Sequence, residues 1–142
     1  MTLSWIISQL LMIIYALFSA WHHAPAVNAM REYAPTPNIY EDPFHFWSAG
    51  QVTIVAICIS LGILSYHPLL WCIVSGFLSV AWYWLLFDIV LNKGTGKSWD
   101  YLGNDATLDR FLKKRFGKTG GEVKAVCLVV IILIVNVLRF VL

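Results

Sequence analysis

The chain has 142 residues, of which 59% are hydrophobic and 13% are charged, with a formal net charge of +2. Soluble domains carry about 25% charged residues, and a chain of this length with so few charges could not cover the surface of a soluble domain. The composition therefore excludes a soluble globular protein and indicates a single-domain integral membrane protein. The three cysteines lie in apolar runs without metal-binding or redox spacing, which is typical of small buried side chains.

Four apolar runs predict four transmembrane helices in an all-α, polytopic membrane protein. The first run has no positive charge ahead of it, so it is predicted to be a retained helix and not a secretory signal. The second and third runs are separated by only a few residues and are predicted to form a helical hairpin. Small residues in the third run, at 75, 76 and 79, would let a neighbouring helix approach closely. The predicted spans cover residues 2–21, 47–65, 69–91 and 123–142.

The first polar loop is predicted over residues 22–46 and holds four of the five prolines. Pro35 and Pro37 favour an extended backbone around them. Residues 26–33 could form a short helix with Pro25 in its first turn.

The second polar loop is predicted over residues 92–122 and includes a short amphipathic helix that begins at Asn104 and ends at Gly117. Its apolar residues fall on one face and its basic residues around the rest, as in a helix lying in the membrane interface. The apolar residues are Leu108, Phe111, Leu112 and Phe116.

The orientation follows from the positive charges, because loops rich in Lys and Arg stay in the cytoplasm. The second polar loop, with Lys124 at its edge, holds eight of the ten Lys and Arg residues. Both polar loops, and the amphipathic helix, are therefore predicted to be cytoplasmic. Both chain termini would face the outside of the cell inner membrane, although Arg139 disagrees with this orientation.

This topology gathers polar residues at one interface and makes Asp88 the main candidate for a functional residue. A carboxylate about one turn inside a span is unfavourable unless it is paired, protonated or hydrated. Asp88 and Asn92 are four residues apart and share a helix face. If the protein is an enzyme, the predicted catalytic residues are Asp88, Asn92, Asp100 and His23. Alternatively, Asp88 forms a structural pair with a nearby cation or a loop N–H group.

The same interface could hold a divalent metal, with Asp88, His22 and His23 as the predicted ligands. The alternative is that His22 and His23 are interfacial residues with one hydrated side, because adjacent helical residues point about 100° apart. A lipid phosphate is the predicted ligand of the basic residues Arg110, Lys113 and Lys114. Asp109 is expected to pair with Lys113.

One segment resembles a phosphate-binding loop but lacks an essential part of it. Gly94-Thr95-Gly96-Lys97-Ser98 matches the end of a Walker A motif, yet Leu91 replaces the first glycine and no strand precedes it. Nucleotide binding is therefore not expected here, and no other catalytic motif is complete.

Three functions remain open at this stage, and they leave the enzyme question undecided. The first is a non-catalytic subunit, scaffold or oligomerising protein in the lipid bilayer, forming a homo-oligomer or part of a larger complex. The second is a small enzyme that acts on a phosphate-bearing lipid headgroup. The third is an ion or proton pathway through Asp88, for which the spans offer little polar lining. No nucleic-acid partner is expected.

Overall fold

The computed structural model describes residues 2–33, 41–63, 68–103 and 107–141, with the side chains of 3–29, 50–61, 68–103 and 108–141. These residues form helices and no strand, which confirms the predicted all-α class. The five α-helices are α1 (Thr2–Tyr33), α2 (Glu41–Ile63), α3 (Leu69–Gly94), α4 (Thr107–Phe116) and α5 (Gly120–Val141), with a 3₁₀ turn at Gly117–Thr119.

Helix α3 is the centre of the bundle and packs against α1, α2 and α5. Helices α1 and α3 run parallel: the Trp5 and Trp71 rings meet near their starts, and Asn28 Nδ2 donates to Gly94 O near their ends. Helix α5 runs the opposite way, since an ion pair joins its first turns to the last turns of α3. The ends of α1 and α3 therefore meet the start of α5 at one end of the bundle.

Small side chains let α3 approach its neighbours closely, as the sequence predicts. Ser75 and Ser79 are fully buried. Ser75 Oγ lies 3.5 Å from Ser8 Oγ of α1. On the other side, a Cβ atom added to Gly76 would lie 3.0 Å from Ser60 Oγ of α2. A side chain at position 76 would require Ser60 Oγ to move by a few tenths of an ångström.

The helices extend beyond the predicted spans into polar sequence. Helix α1 continues through Pro25 to Tyr33, so the separate helix predicted over residues 26–33 is in fact part of α1. Helix α2 already begins at Glu41, inside the predicted first loop. Apolar side chains mark the part of a helix that suits hydrocarbon, whereas backbone hydrogen bonding continues as long as the residues favour a helix. The extended run predicted around Pro35 and Pro37 lies outside the described residues.

Three stretches of the described chain are long and apolar enough to cross a membrane: Leu3–Ala29, Leu69–Gly94 and Leu108–Val141, the last of which includes the turn between α4 and α5. Helix α2 adds a shorter apolar stretch, Gly50–Leu61, among its described side chains. This architecture is consistent with a multi-pass helical membrane protein, because a helix satisfies its own backbone hydrogen bonds in lipid. A fourth crossing by α2 stays a prediction, because the predicted span extends beyond the described side chains at both ends.

Candidate functional site

A lysine held between two carboxylates lies where α3, α4 and α5 meet. Lys124 Nζ donates to Asp88 Oδ2 at 2.6 Å and to Asp109 Oδ1 at 2.7 Å. The side chains of Lys124 and Asp109 are each 13% exposed, and that of Asp88 is 36% exposed. Charge-assisted hydrogen bonds of this length are stronger than neutral ones, and partial removal from water strengthens them further. We call these three residues the ion cluster.

A tight turn between α4 and α5 brings Asp109 next to Lys124. Helix α4 ends at Phe116, and Gly117 follows with φ +59, in the left-handed region that favours glycine. The 3₁₀ turn that starts at Gly117 then folds α5 back against α4. The two cluster residues, which are 15 positions apart in sequence, thereby become neighbours.

Asn92 fixes the segment that follows α3 beneath the ion cluster. Its side chain is buried, and its amide donates to Trp99 O at 3.3 Å and Tyr101 O at 2.9 Å. The segment therefore curls under the end of α3 and crosses the start of α5. At this crossing, a Cβ atom added to Gly121 would overlap the backbone carbonyl group of Asp100. Only glycine fits there without moving one of the two backbones.

One small cavity brings together three of the four predicted catalytic residues. Asp88, Asn92 and Asp100 line it with Lys124, and its remaining walls are mostly apolar. Its volume of about 20 Å³ gives room for about one water molecule. The fourth predicted residue, His23, does not line this cavity. The predicted topology, with both polar loops on one side, implies that these three residues lie close together. A catalytic role for them stays a prediction.

The structure does not assemble the predicted metal ligands Asp88, His22 and His23. The two histidine rings meet edge to face with centroids 5.6 Å apart, because α1 continues through both residues and they point in different directions. His23 Nδ1 lies at hydrogen-bonding distance from Ser19 O, and its ring packs on Phe87. Among the side chains that the structure describes, no group of three or more His, Cys, Asp or Glu residues could hold a metal ion.

The three cations predicted to bind a lipid phosphate lie on the outside of α4. Arg110, Lys113 and Lys114 are all exposed, and none lines the small cavity. Lys113 Nζ lies 5.8 Å from the centre of the Tyr101 ring. These cations could meet an anionic headgroup at the surface of the bundle, but not inside the cavity of the ion cluster.

Helix α4 covers most of the segment predicted as an amphipathic helix, while residues 104–106 lie outside the described chain. Among its apolar residues, Leu112 is buried against the bundle. The others are exposed beside the basic residues: Leu108, Phe111 and Phe116. The position of this helix in a membrane interface stays a prediction.

Lys124 is the residue of the site that sequence reasoning did not identify. From the sequence, Lys124 is only one of the cations that set the orientation, and Asp109 is expected to pair with Lys113. A usable signal was present, because Asp88 and Lys124 each lie near one end of an apolar run, and the predicted topology places both ends on one side. An isolated charge in such a place is unfavourable, so two opposite charges are expected to meet.

The site has two parts. Lys124 neutralises the carboxylates of Asp88 and Asp109, and the side-chain amide of Asn92 holds the segment that follows α3. Such clusters serve as structural ties in some proteins and belong to active sites in others. The arrangement alone therefore does not specify a class of protein. Comparison with known proteins adds no assignment, since no family model matches the sequence and neither the curated proteins nor the solved structures include a significant match.

Proposed function

We propose that this chain is a non-catalytic membrane protein, which acts as a subunit or scaffold and forms a homo-oligomer or part of a larger membrane complex. The observation that carries the proposal is that the charged groups of the ion cluster bind each other. Lys124 holds one oxygen of each carboxylate, and the adjoining cavity has room for about one water molecule.

A structural role explains this geometry more directly than catalysis does. A general base or metal ligand needs a lone pair directed at a site that a substrate can enter. Here Asp88 and Asp109 each accept a short hydrogen bond from Lys124, and these bonds tie α3 and α4 to α5. We propose that the cluster fixes the last helix to the bundle, so that the protein presents one defined surface to its neighbours.

Stability measurements on two carboxylate variants separate the structural role from a catalytic one. We expect Asp88→Asn to lower the midpoint of thermal unfolding in mild detergent, because it removes a charge-assisted contact from Lys124. Asp100→Asn is the matched control, since Asp100 lines the same cavity without belonging to the ion cluster. It should unfold close to the wild-type midpoint.

The same samples test the proposed function. Native mass spectrometry of the wild-type protein is expected to show a fixed oligomer, or a complex of fixed stoichiometry. No turnover is expected when the protein is incubated with phosphate-bearing lipids and Mg²⁺. Headgroup turnover that Asp88→Asn abolishes, at an unchanged unfolding midpoint, would contradict the proposal.

That contrary result would favour the second candidate, a small enzyme acting on a phosphate-bearing lipid headgroup. One observation supports this candidate: Asp88, Asn92 and Asp100 share a cavity beside Lys124. The cavity would then have to widen to admit a headgroup, with the exposed cations of α4 binding the phosphate.

We further propose that the protein spans a cell inner membrane with the ion cluster on the cytoplasmic side. The support is the concentration of Lys and Arg residues from the last turn of α3 to the first turns of α5, where eight of the ten lie. In this arrangement α2 crosses the membrane as a fourth span, α4 lies in the interface, and both termini are outside.

Labelling of single cysteines tests this orientation. In a chain without its native cysteines, Leu3→Cys and Ser98→Cys place thiols at exposed positions near opposite ends of the bundle. We expect a membrane-impermeant maleimide to label position 3 in intact spheroplasts and position 98 only after the membrane is opened. The reverse pattern would place the basic loop outside and contradict the orientation.

A further inference from the structure

One side of α4 carries two exposed apolar side chains with an arginine between them. Leu108, Phe111 and Arg115 follow each other at spacings of three and four residues, so they share one face of the helix. Leu108 is 44% exposed, Phe111 is 61% exposed, and Arg115 is exposed as well. We call these three residues the α4 stripe.

The surroundings of α4 favour a position close to the level of lipid headgroups. Trp84 and Trp99, which are 45% and 42% exposed, both line the cavity of the ion cluster. Tryptophan is enriched where the hydrocarbon of a membrane meets water. Asp109 holds α4 at the same cluster through its ion pair with Lys124. Exposed apolar residues of a helix at this level would be covered by lipid chains.

Charge is segregated across α4. Its one acid, Asp109, faces the bundle and accepts a hydrogen bond from Lys124. Arg110, Lys114 and Arg115 are exposed, and none of them belongs to an ion pair among the residues that the structure describes. The outer surface of the helix is therefore positive, and an anionic partner is complementary to it.

We propose that the α4 stripe binds an anionic phospholipid of the cytoplasmic leaflet, with Arg115 on the phosphate group and the acyl chains along Leu108 and Phe111. A guanidinium group donates two parallel hydrogen bonds to a phosphate, and its aliphatic stem lies well along apolar neighbours. The stripe thus suits a partner that combines hydrocarbon with net negative charge, unlike a zwitterionic lipid, a soluble phosphate or a nucleic acid. The inference rests on the interfacial position proposed for α4, and it adds the class of lipid and the residues that recognise it.

Arg110, which the sequence predicts as a phosphate ligand, lies on a different side of the helix. It precedes Arg115 by five residues, which corresponds to about 140° around the helix axis. Its neighbours three and four residues later are Lys113 and Lys114, so it has no apolar companion there. Arg110 is therefore a control of the same residue type on the same helix.

Titration with matched lipids tests the inference. Phosphatidylglycerol and phosphatidylcholine with identical acyl chains are added separately to the protein in mild detergent, and native mass spectrometry measures the bound fraction. One basic residue near an anionic surface favours binding by about fivefold, so the wild-type protein should prefer phosphatidylglycerol by about fivefold or more. Glycerol 3-phosphate, which has the phosphate group and no acyl chain, should not displace the lipid.

Four variants identify the residues responsible. Arg115→Gln is expected to lose most of the preference for phosphatidylglycerol, whereas Arg110→Gln should keep most of it. Phe111→Ala should weaken the binding of both lipids, because both carry the same acyl chains. Phe77→Ala makes the same change on α3, where Phe77 is 74% exposed, and should bind both lipids as the wild type does. All four positions are exposed, so the midpoint of thermal unfolding should change little.

The contrary results are distinct. Equal binding of the two lipids by a wild-type protein that still forms a fixed oligomer would overturn this inference and leave the proposed function standing. Equal losses in the two arginine variants would show attraction by overall charge without a site, and would also overturn it. Displacement by glycerol 3-phosphate would show that the acyl chains contribute nothing, and would overturn the assignment to a lipid.

Discussion

Replacing Gly121 with alanine is expected to destabilise the protein by about 3 kcal/mol, because overpacking a fixed contact costs roughly this much. The added Cβ atom would overlap the Asp100 carbonyl group, and this neighbour is backbone that cannot rotate away as a side chain could. The start of α5 and the segment after α3 would have to separate. Reversible unfolding in mild detergent, followed by circular dichroism, measures the loss.

Gly50→Ala is the matched control for this prediction. Gly50 lies inside α2, and a Cβ atom added there would meet nothing within 4 Å. Alanine favours a helix over glycine by about 0.5–1 kcal/mol, so this variant should be as stable as the wild type or slightly more stable. If Gly121→Ala proved as harmless as Gly50→Ala, the close crossing of the two segments would be refuted.

Replacing Lys124 with methionine is expected to destabilise the protein by about 3 kcal/mol, since it removes two charge-assisted hydrogen bonds from a partly buried cluster, each worth roughly 1.5–3 kcal/mol. The Asp88 and Asp109 carboxylates would then repel each other across the gap between α3 and α4. Lys93→Met removes a cation of the same type at an exposed position and should change the free energy of unfolding little.

A rescue experiment shows whether the loss comes from charge. In the Lys124→Met background, adding Asp88→Asn and Asp109→Asn removes the two negative charges that repel each other, and most of the lost stability should return. Buried ion pairs replaced by neutral side chains are often no less stable than the original. A triple variant that stays as unstable as the single one would show that Lys124 acts through packing and not through its charge.

The helices were predictable because membrane spans carry a strong and local signal. An apolar run of about 20 residues specifies a helix, since lipid offers the backbone no other partner. The ends of the helices were less predictable. Residues 22–33 are polar enough to be interpreted as a loop. They nevertheless continue α1, which passes through Pro25 without ending. Backbone hydrogen bonding, unlike membrane burial, does not require apolar side chains.

The candidate site was predictable in its membership but not in its contacts. Topology alone placed Asp88, Asn92 and Asp100 together, and all three line one cavity. The pairing of Asp88 with Lys124 depends on how α5 folds back against α4 after Gly117. Tertiary packing sets this fold, and no local sequence pattern reveals it.

The distance in sequence between Asp88 and Lys124, 36 residues, has a consequence for biosynthesis. During translation, α3 emerges from the ribosome with Asp88 while Lys124 is still inside the ribosome. An uncompensated carboxylate inside a span resists transfer from the translocon into lipid. Release of the third helix is therefore expected to wait for the fifth, so that the two enter the bilayer as a charge-balanced pair. A truncated nascent chain ending before Lys124 should remain associated with the insertion machinery.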